Sequence, residues 1–292
     1  FVATTATSDP VFAGNAEFEM GEWNEVPVDH ARLRVSWPTR HPPRYQFYGD
    51  FGTPTIRNDH GWTTLELAAN DIQPIVPPRL APPRYNIGRL FSLTTFDSWA
   101  SISRLFHQHF SAAERTAADS PFRAEVERIR SASTDPVARA EAALELVQGQ
   151  IRYVALASGL GALIPANVDD SWSRRYGDCK AKSVLLLAAL HELGIESEAV
   201  LVNAGGSDGL NNFLPQVGAF NHIIVRAHIG GQDYWLDGTR TGDHHLSALT
   251  VPFYRFGLPL SANGSDLTPI IPAPLAQAET RTIIRLDGSH GV

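Results

Sequence analysis

The sequence predicts an α+β protein, with a β-rich region first, helices next, and a meander of strands behind a helix tipped by the chain's one cysteine. Three observations predict it. Apolar and polar residues alternate in the N-terminal region. Apolar residues then recur at three- and four-residue steps from Phe96 onward, and short apolar strands return from Ala199. With 292 residues, 43% hydrophobic and 19% charged, the chain can bury one large or two ordinary cores.

The elements follow in order. Ala31–Trp37 puts Leu33, Val35 and Trp37 on one face, and Trp62–Leu67 is a strand entered through the turn Asp59-His60-Gly61. Pro-Pro-Arg steps at Pro42–Arg44, Pro77–Arg79 and Pro82–Arg84 read as loops or polyproline connectors, since proline cannot donate to a ladder. Trp99, Ile102, Leu105, Phe106 and Phe110 mark a helix behind the cap candidates Asp97 and Ser98. Asp119-Ser120-Pro121 opens a second, with Phe122, Val126 and Ile129 inward. Asp135-Pro136 opens a third, with Val137, Ala140, Leu144 and Val147 inward and Gly149 as its close.

After the short apolar run Ile151–Ala157 and a loop at Ser158–Ala166, Trp172–Tyr176 leads into Gly177-Asp178-Cys179. A helix runs from there through Leu193, burying Val184, Leu185, Ala188 and Leu190 and capped by Gly194. Strands are expected at Ala199–Val202, Phe220–Ile229 and Tyr234–Asp237, with a Gly/Asn-rich loop at Asn203–Gly218 between the first two. The resulting division is 1–95 as a β-rich region truncated at its start, 96–134 as connecting helices, 135–250 as the region holding the cysteine helix and its strands, and 251–292 as an extension leading into a further β segment.

A formal charge of -7 excludes a nucleic-acid binder, because no basic excess exists to neutralise phosphates. One cysteine excludes an intramolecular disulfide and any Cys-rich zinc scaffold. Apolar runs such as Val184–Leu190 are too short to span a bilayer. No signal peptide is visible. The chain opens on Phe1 and stops at Val292 just after the strand-like run Arg281–Leu286, and so reads as a piece of a longer protein.

A lone cysteine is by itself an ordinary small core residue. Position singles this one out. Cys179 falls in the first turn of its helix, one residue after the cap candidate Asp178, where free N–H groups and the helix dipole stabilise a thiolate. The same N–H groups can receive the oxyanion of a tetrahedral intermediate. Gly177 lets the chain turn so that the sulfur is presented, and the only two lysines, Lys180 and Lys182, add positive charge from side chains able to reach solvent.

A thiolate nucleophile needs a base, and the base needs an orienting partner. His222 interrupts the apolar run Asn221–Val225, and its strand returns through Gly230-Gly231 to Asp237. A two-residue turn pairs Ile229 with Gln232 and hence Ile224 with Asp237; a register shifted by two would pair His222 with Asp237 directly. In both registers the two side chains project from one face, roughly 5–8 Å apart at Cβ. An aspartate there fixes the histidine tautomer and stabilises the imidazolium.

Tyr176-Gly177-Asp178-Cys179-Lys180-Ala181-Lys182, with Leu185–Ala189 and Leu193-Gly194-Ile195, resembles the nucleophile helix of the transglutaminase-like superfamily. Phe220-Asn221-His222 resembles its histidine strand and Trp235–Thr239 its aspartate strand, in the family's order. The resemblance covers roughly residues 150–240. It is closest to a bacterial branch with a Gly-Asp-Cys-Lys-Asp-Lys signature behind an N-terminal domain of uncharacterised function, where Ala181 departs from the usual Asp. Residues 31–125 weakly resemble the later part of that preceding domain. The resemblance implies a papain-like core in which the cysteine helix packs on an antiparallel sheet. It implies Cys179 as nucleophile, His222 as general base and acid, Asp237 as orienting carboxylate, and no cofactor or metal. It also implies a periplasmic or exported cell-envelope protein, associated with the envelope through regions outside this chain.

The expected activity is acyl transfer at peptide or glutamine amides of a protein or peptide substrate, through a thioester, with hydrolysis favoured over cross-linking because water needs no second binding site. The alternative is a non-catalytic envelope binding or assembly module on the same fold. Among rival sites, His107 and His109 point apart on a helix, and neither they nor His244-His245 have ligands at metal spacing. Trp172 and Tyr153 are candidates for a second oxyanion donor, with simple packing the ordinary reading of each. Asp169-Asp170 read as helix caps.

Overall fold

The computed structural model describes residues 9–21, 23–76, 78, 80–85, 88–155, 163–272 and 282–285. Its first part is all strand: β1 (Glu17–Gly21), β2 (Val28–Pro38), β3 (Arg44–Tyr48), β4 (Thr55–Asp59), β5 (Trp62–Ile72) and β6 (Leu90–Thr94). They form two antiparallel three-stranded sheets, ordered β1-β6-β3 and β2-β5-β4, joined by a core of Leu33, Trp37, Leu65, Leu67, Phe91 and Leu93. The expected alternation in β2 is present, with Leu33 and Trp37 buried between exposed arginines and a serine. His60 and Gly61 both take positive φ (47° and 81°), the backbone of a two-residue hairpin turn whose twist matches the strands it joins. Four strands escaped the sequence reading. β4 is exposed at every residue, and β6 is buried on both faces, so neither shows period two.

Three helices follow: α1 (Trp99–Ala113), α2 (Pro121–Ala132) and α3 (Pro136–Gln150), capped by Ser98, Ser120 and Asp135. Ser98 and Ser101 cap each other reciprocally, so Asp97 is not the cap. Nor does Gly149 close α3. The helix runs on to Gln150 and leaves through Ile151 in an extended conformation. The region 96–134 is also more than a connector, because Phe106, Phe110, Phe122 and Val126 share one core with the later elements.

β7 (Arg152–Tyr153) pairs in parallel with β8 (Tyr176–Gly177), across α4 (Val168–Arg174). Of the loop expected at Ser158–Ala166, residues 158–162 lie outside the described residues, as do 156–157 before it. Next comes α5 (Cys179–Glu192), in which every residue from Ala181 to Leu190 is buried. A helix apolar all round belongs at the centre of a fold, and α5 packs against α3, α4 and two strands of the main sheet. Gly194 ends it in the left-handed conformation (φ 77°), as the sequence predicts.

The main sheet holds β9 (Glu196–Val202), β10 (His222–Ile229), β11 (Gln232–Leu236), β12 (Arg255–Pro259) and β13 (Thr268–Ile270), ordered β11-β10-β9-β12-β13 and antiparallel throughout. Ala199, Leu201, Ile223 and Val225 join the α5 core, while Val200, Val202, Ile224 and Ile270 cluster separately, so period two covers both faces. A boundary at residue 250 therefore cuts through a sheet. β12 pairs with β9 across more than fifty residues of chain, a pairing that local pattern cannot reveal. Of the run Arg281–Leu286, residues 282–285 are exposed and carry no strand; 281 and 286 lie outside the described residues.

Candidate active site

Cys179 opens α5. The side chain of Asp178 accepts a hydrogen bond from Ala181 N (3.1 Å), and its carbonyl oxygen accepts one from Lys182 N. The two preceding N–H groups, on Cys179 and Lys180, have no protein partner among the described residues and project from the positive end of the helix. Gly177 is needed here for a reason different from the one the sequence suggested. Its φ is not positive; instead a Cβ at this position would meet the Ala181 Cβ at 2.7 Å, so only glycine lets β8 pass so close to the helix.

His222 opens β10, and Asp237 follows the last residue of β11, so both sit where the strands leave the sheet. The hairpin takes the two-residue register: Ile229 pairs with Gln232 and Val225 with Leu236 across Gly230 and Gly231 (φ 61° and 81°). The side chains of His222 and Asp237 meet diagonally, with Nε2 to Oδ2 at 2.8 Å. That leaves Nδ1 as the nitrogen able to serve a thiol, and Cys179 and His222 share the wall of one cleft.

Electrostatics reinforce the geometry. Burial works against the charged His222 ring, but its hydrogen bonding to Asp237 and Cys179, together with their negative charge, lifts its pKa to about 9. Burial likewise opposes the Asp237 carboxylate. The His222 bond and charge, with the amide and hydroxyl of Thr239 (2.9 and 2.7 Å to Oδ1), overcome it and hold the group below the usual carboxylate range. Gln148 Nε2 donates to the Asp237 carbonyl (3.0 Å), tying the aspartate to α3. Neither Thr239 nor Gln148 was assigned a role from sequence. Thr239 carried a local signal, a hydroxyl two residues past an aspartate. Gln148 carried none.

The lysines do not reach into solvent. Lys180 is tucked against the Asp178 carboxylate, and Lys182 is only 2% exposed, with Nζ donating to the Ile151 carbonyl. Burial lowers the Lys182 pKa, and the charge of Asp237 partly restores it.

Of the two oxyanion-donor candidates, Trp172 is buried against Phe122 (5.3 Å between rings) and beneath the Arg175 guanidinium (3.6 Å), packing as a core aromatic. Tyr153 stays adjacent to the cysteine: it pairs with Gly177, and burial followed by the negative charge of Cys179, Asp178 and Asp237 raises its pKa and keeps the O–H. Asp169 does not cap α4, which Asn167 does. Its carboxylate reaches back to Ala117 N (2.9 Å) and the Ser120 hydroxyl at the start of α2. His244 and His245 each approach a different glutamate of α3, Glu145 and Glu141, at 3.9 and 3.8 Å on the surface. His109 lies edge-on to Phe106. Among the described residues no group of three or more His, Cys, Asp or Glu is placed to hold a metal ion.

A family model described as a Domain of Unknown Function with solved-structure structure (DUF3857) matches residues 1–76. The sequence matches none of the curated proteins. Among solved structures, a provisionally assigned protease from Parabacteroides distasonis superposes with a TM-score of 0.66 at 14% identity, over 90% of this chain and 48% of that one. The present chain thus spans about half the length of that structure and shares its fold. A provisionally assigned cysteine protease from Cytophaga hutchinsonii aligns at 11% identity over 89% and 76% of the two chains, with a TM-score of 0.32. The periplasmic domain of TgpA from Pseudomonas aeruginosa aligns at 16% identity over 74% of each chain, also at 0.32. The chain has an α+β fold shared with that structure, a cysteine-tipped helix on an antiparallel sheet behind a β-rich region.

Proposed function

We propose that the chain is a cysteine-nucleophile enzyme that cleaves amides through a thioester acyl-enzyme, with Cys179 as nucleophile, His222 as base and acid, and Asp237 as the carboxylate that orients it. The observation carrying this reading is the 2.8 Å bond from His222 Nε2 to Asp237 Oδ2, which leaves Nδ1 uncommitted on a ring that lines the same cleft as Cys179. In the first step the thiolate attacks the amide carbon, and the oxyanion collects the N–H groups of Cys179 and Lys180. Collapse breaks the C–N bond as His222 delivers its proton to the leaving amine. In the second step His222 takes a proton from water, whose oxygen attacks the thioester, and the acid product leaves with the thiol restored. Tyr153 is the side chain best placed to give the oxyanion a further donor. Water is favoured over an amine as acceptor because water needs no second binding site. The cell-envelope location implied by the sequence resemblance belongs to this proposal; no described helix is long and apolar enough to cross a membrane.

Alkylation by iodoacetamide tests the nucleophile without knowledge of the substrate. Near pH 6.5 Cys179 should react at least about tenfold faster than an ordinary exposed thiol, and His222→Ala should remove that advantage. Equal and slow rates in both proteins would leave a non-catalytic binding module as the better reading. Turnover on a peptide library, with Cys179→Ala as the blank, then separates hydrolysis from amine incorporation.

A further inference from the structure

Beside the sulfur and the imidazole lies a cavity of about 100 Å³ whose remaining walls are almost wholly apolar. Phe106 and Phe110 come from α1, Leu201 from β9, Val217 and Phe220 from the segment ahead of His222, and Leu163 from the residues that precede α4. Its polar neighbours are already committed. Asn221 accepts from Ala204 N (2.8 Å) and donates to Asn203 (3.3 Å), and the Lys180 ammonium is held by Asp178. An entering carboxylate would be desolvated, and the cations lining the cavity among the described residues, Lys180 and His222, are already paired with Asp178 and Asp237. An entering ammonium would face the charged ring of His222. A carboxamide would find no uncommitted side-chain partner among the described residues that line the cavity.

Resting on the cysteine-nucleophile reading above, we propose that this cavity is the specificity pocket of the site, and that it receives a leucine-sized aliphatic side chain flanking the scissile amide of a peptide. The pocket opens directly on the nucleophile, so the residue it holds is next to the bond broken. Its size admits a branched aliphatic group, and the apolar side chains that dominate its lining among the described residues disfavour glutamine there. The substrate class is therefore peptides with an aliphatic residue at the cleavage point.

Peptidyl acyloxymethyl ketones that differ only in the side chain beside the warhead (Leu, Ala, Gln or Asp) test this on the whole protein, with iodoacetamide as a side-chain-free reference. The Leu probe should inactivate at least about tenfold faster than Ala and more than that over Gln and Asp, because a pocket distinguishes single methylenes by about that factor. Leu163→Trp, which adds bulk to the cavity wall, should erase the Leu preference, read as the ratio of the Leu-probe to the Ala-probe rate in the same protein. Fast iodoacetamide labelling with the four probes equal in rate would overturn the pocket and leave the nucleophile standing. Slow iodoacetamide labelling would overturn the nucleophile and the pocket together. The wild-type probe ranking decides the matter even where Leu163→Trp does not fold.

Discussion

Two connections lead away from the strand that carries His222, and they are built on opposite principles. On one side, β10 turns into β11 through Gly230-Gly231 alone, and the register is dictated by the backbone freedom of two glycines. On the other, the chain from β9 wanders through residues 203–221 and has little internal regularity beyond two single-turn 3-10 segments. That loop is held from outside. Gln216 Nε2 donates to Phe18 O (3.2 Å), Ser92 Oγ (2.9 Å) and Leu93 O (3.2 Å) of the N-terminal sheet. The Glu17 carboxylate accepts from Val217 N (2.6 Å) and Gly218 N (2.9 Å), Tyr48 stacks on Phe213 (4.6 Å), and Arg84 pairs with Asp208 (2.9 Å). The hairpin sets the chemistry of His222; the loop sets the wall of the pocket beside it. One is a local device and the other a tertiary one.

The comparison breaks most sharply at the hairpin. One residue inserted between Gly230 and Gly231 shifts the register and carries Asp237 to the opposite face from His222. Turnover and rapid alkylation of Cys179 should fall on the order of 10³–10⁴-fold, as when a triad loses its carboxylate, while circular dichroism stays near wild type. Next in size is Gly177→Ala, whose methyl cannot sit 2.7 Å from Ala181 Cβ without moving the helix tip. We expect a loss of roughly 1–3 kcal/mol, the usual penalty for overpacking, measured by urea unfolding, with slower Cys179 alkylation in the protein that remains folded.

On the loop side, Gln216→Ala leaves the Ser92 hydroxyl and two strand carbonyls short of a buried donor and should cost about 1–3 kcal/mol. Cys179 should still alkylate at nearly the wild-type rate, because the His222–Asp237 pair lies on the other connection. A collapse of alkylation in folded Gln216→Ala would show that the two connections are not independent. The smallest effect should come from pH. His222 has a folded pKa of about 9, above its ordinary value of 6.5, so the stability its charge contributes is complete below about pH 6.5 and fades as pH rises through about 9. Asp237, held low, contributes stability above its ordinary range that is lost as pH falls through its folded value. Thermal melts of wild type minus His222→Ala across pH 6–10 should trace the first of these, a difference that shrinks toward the alkaline end.

What the sequence made legible follows the same division. Helix starts at Ser98, Ser120, Asp135 and Asp178 were readable because a cap and the amides it serves lie within three residues. The Gly-Gly hairpin was readable for the same reason, and with it the diagonal meeting of His222 and Asp237. Glu17 and Val217 are 200 positions apart, and no pattern near either residue announces the other. β12 and β13 escaped for that reason too, since β12 pairs with β9 from beyond a long irregular stretch and β13 then pairs with β12. The lysines were misjudged because their usual habit is solvent exposure, and only the packing around α5 decides otherwise.

Those two lysines carry a last consequence. Lys180 and Lys182 are the only primary-amine side chains in the 292 residues, one clasped by Asp178 and the other 2% exposed. The outer face of this chain is cationic through arginine alone, and arginine is not an acyl acceptor. On the proposed cysteine-nucleophile reading, Lys182 is too deeply buried to take an acyl group from the thioester, and Lys180 would have to leave Asp178 to do so.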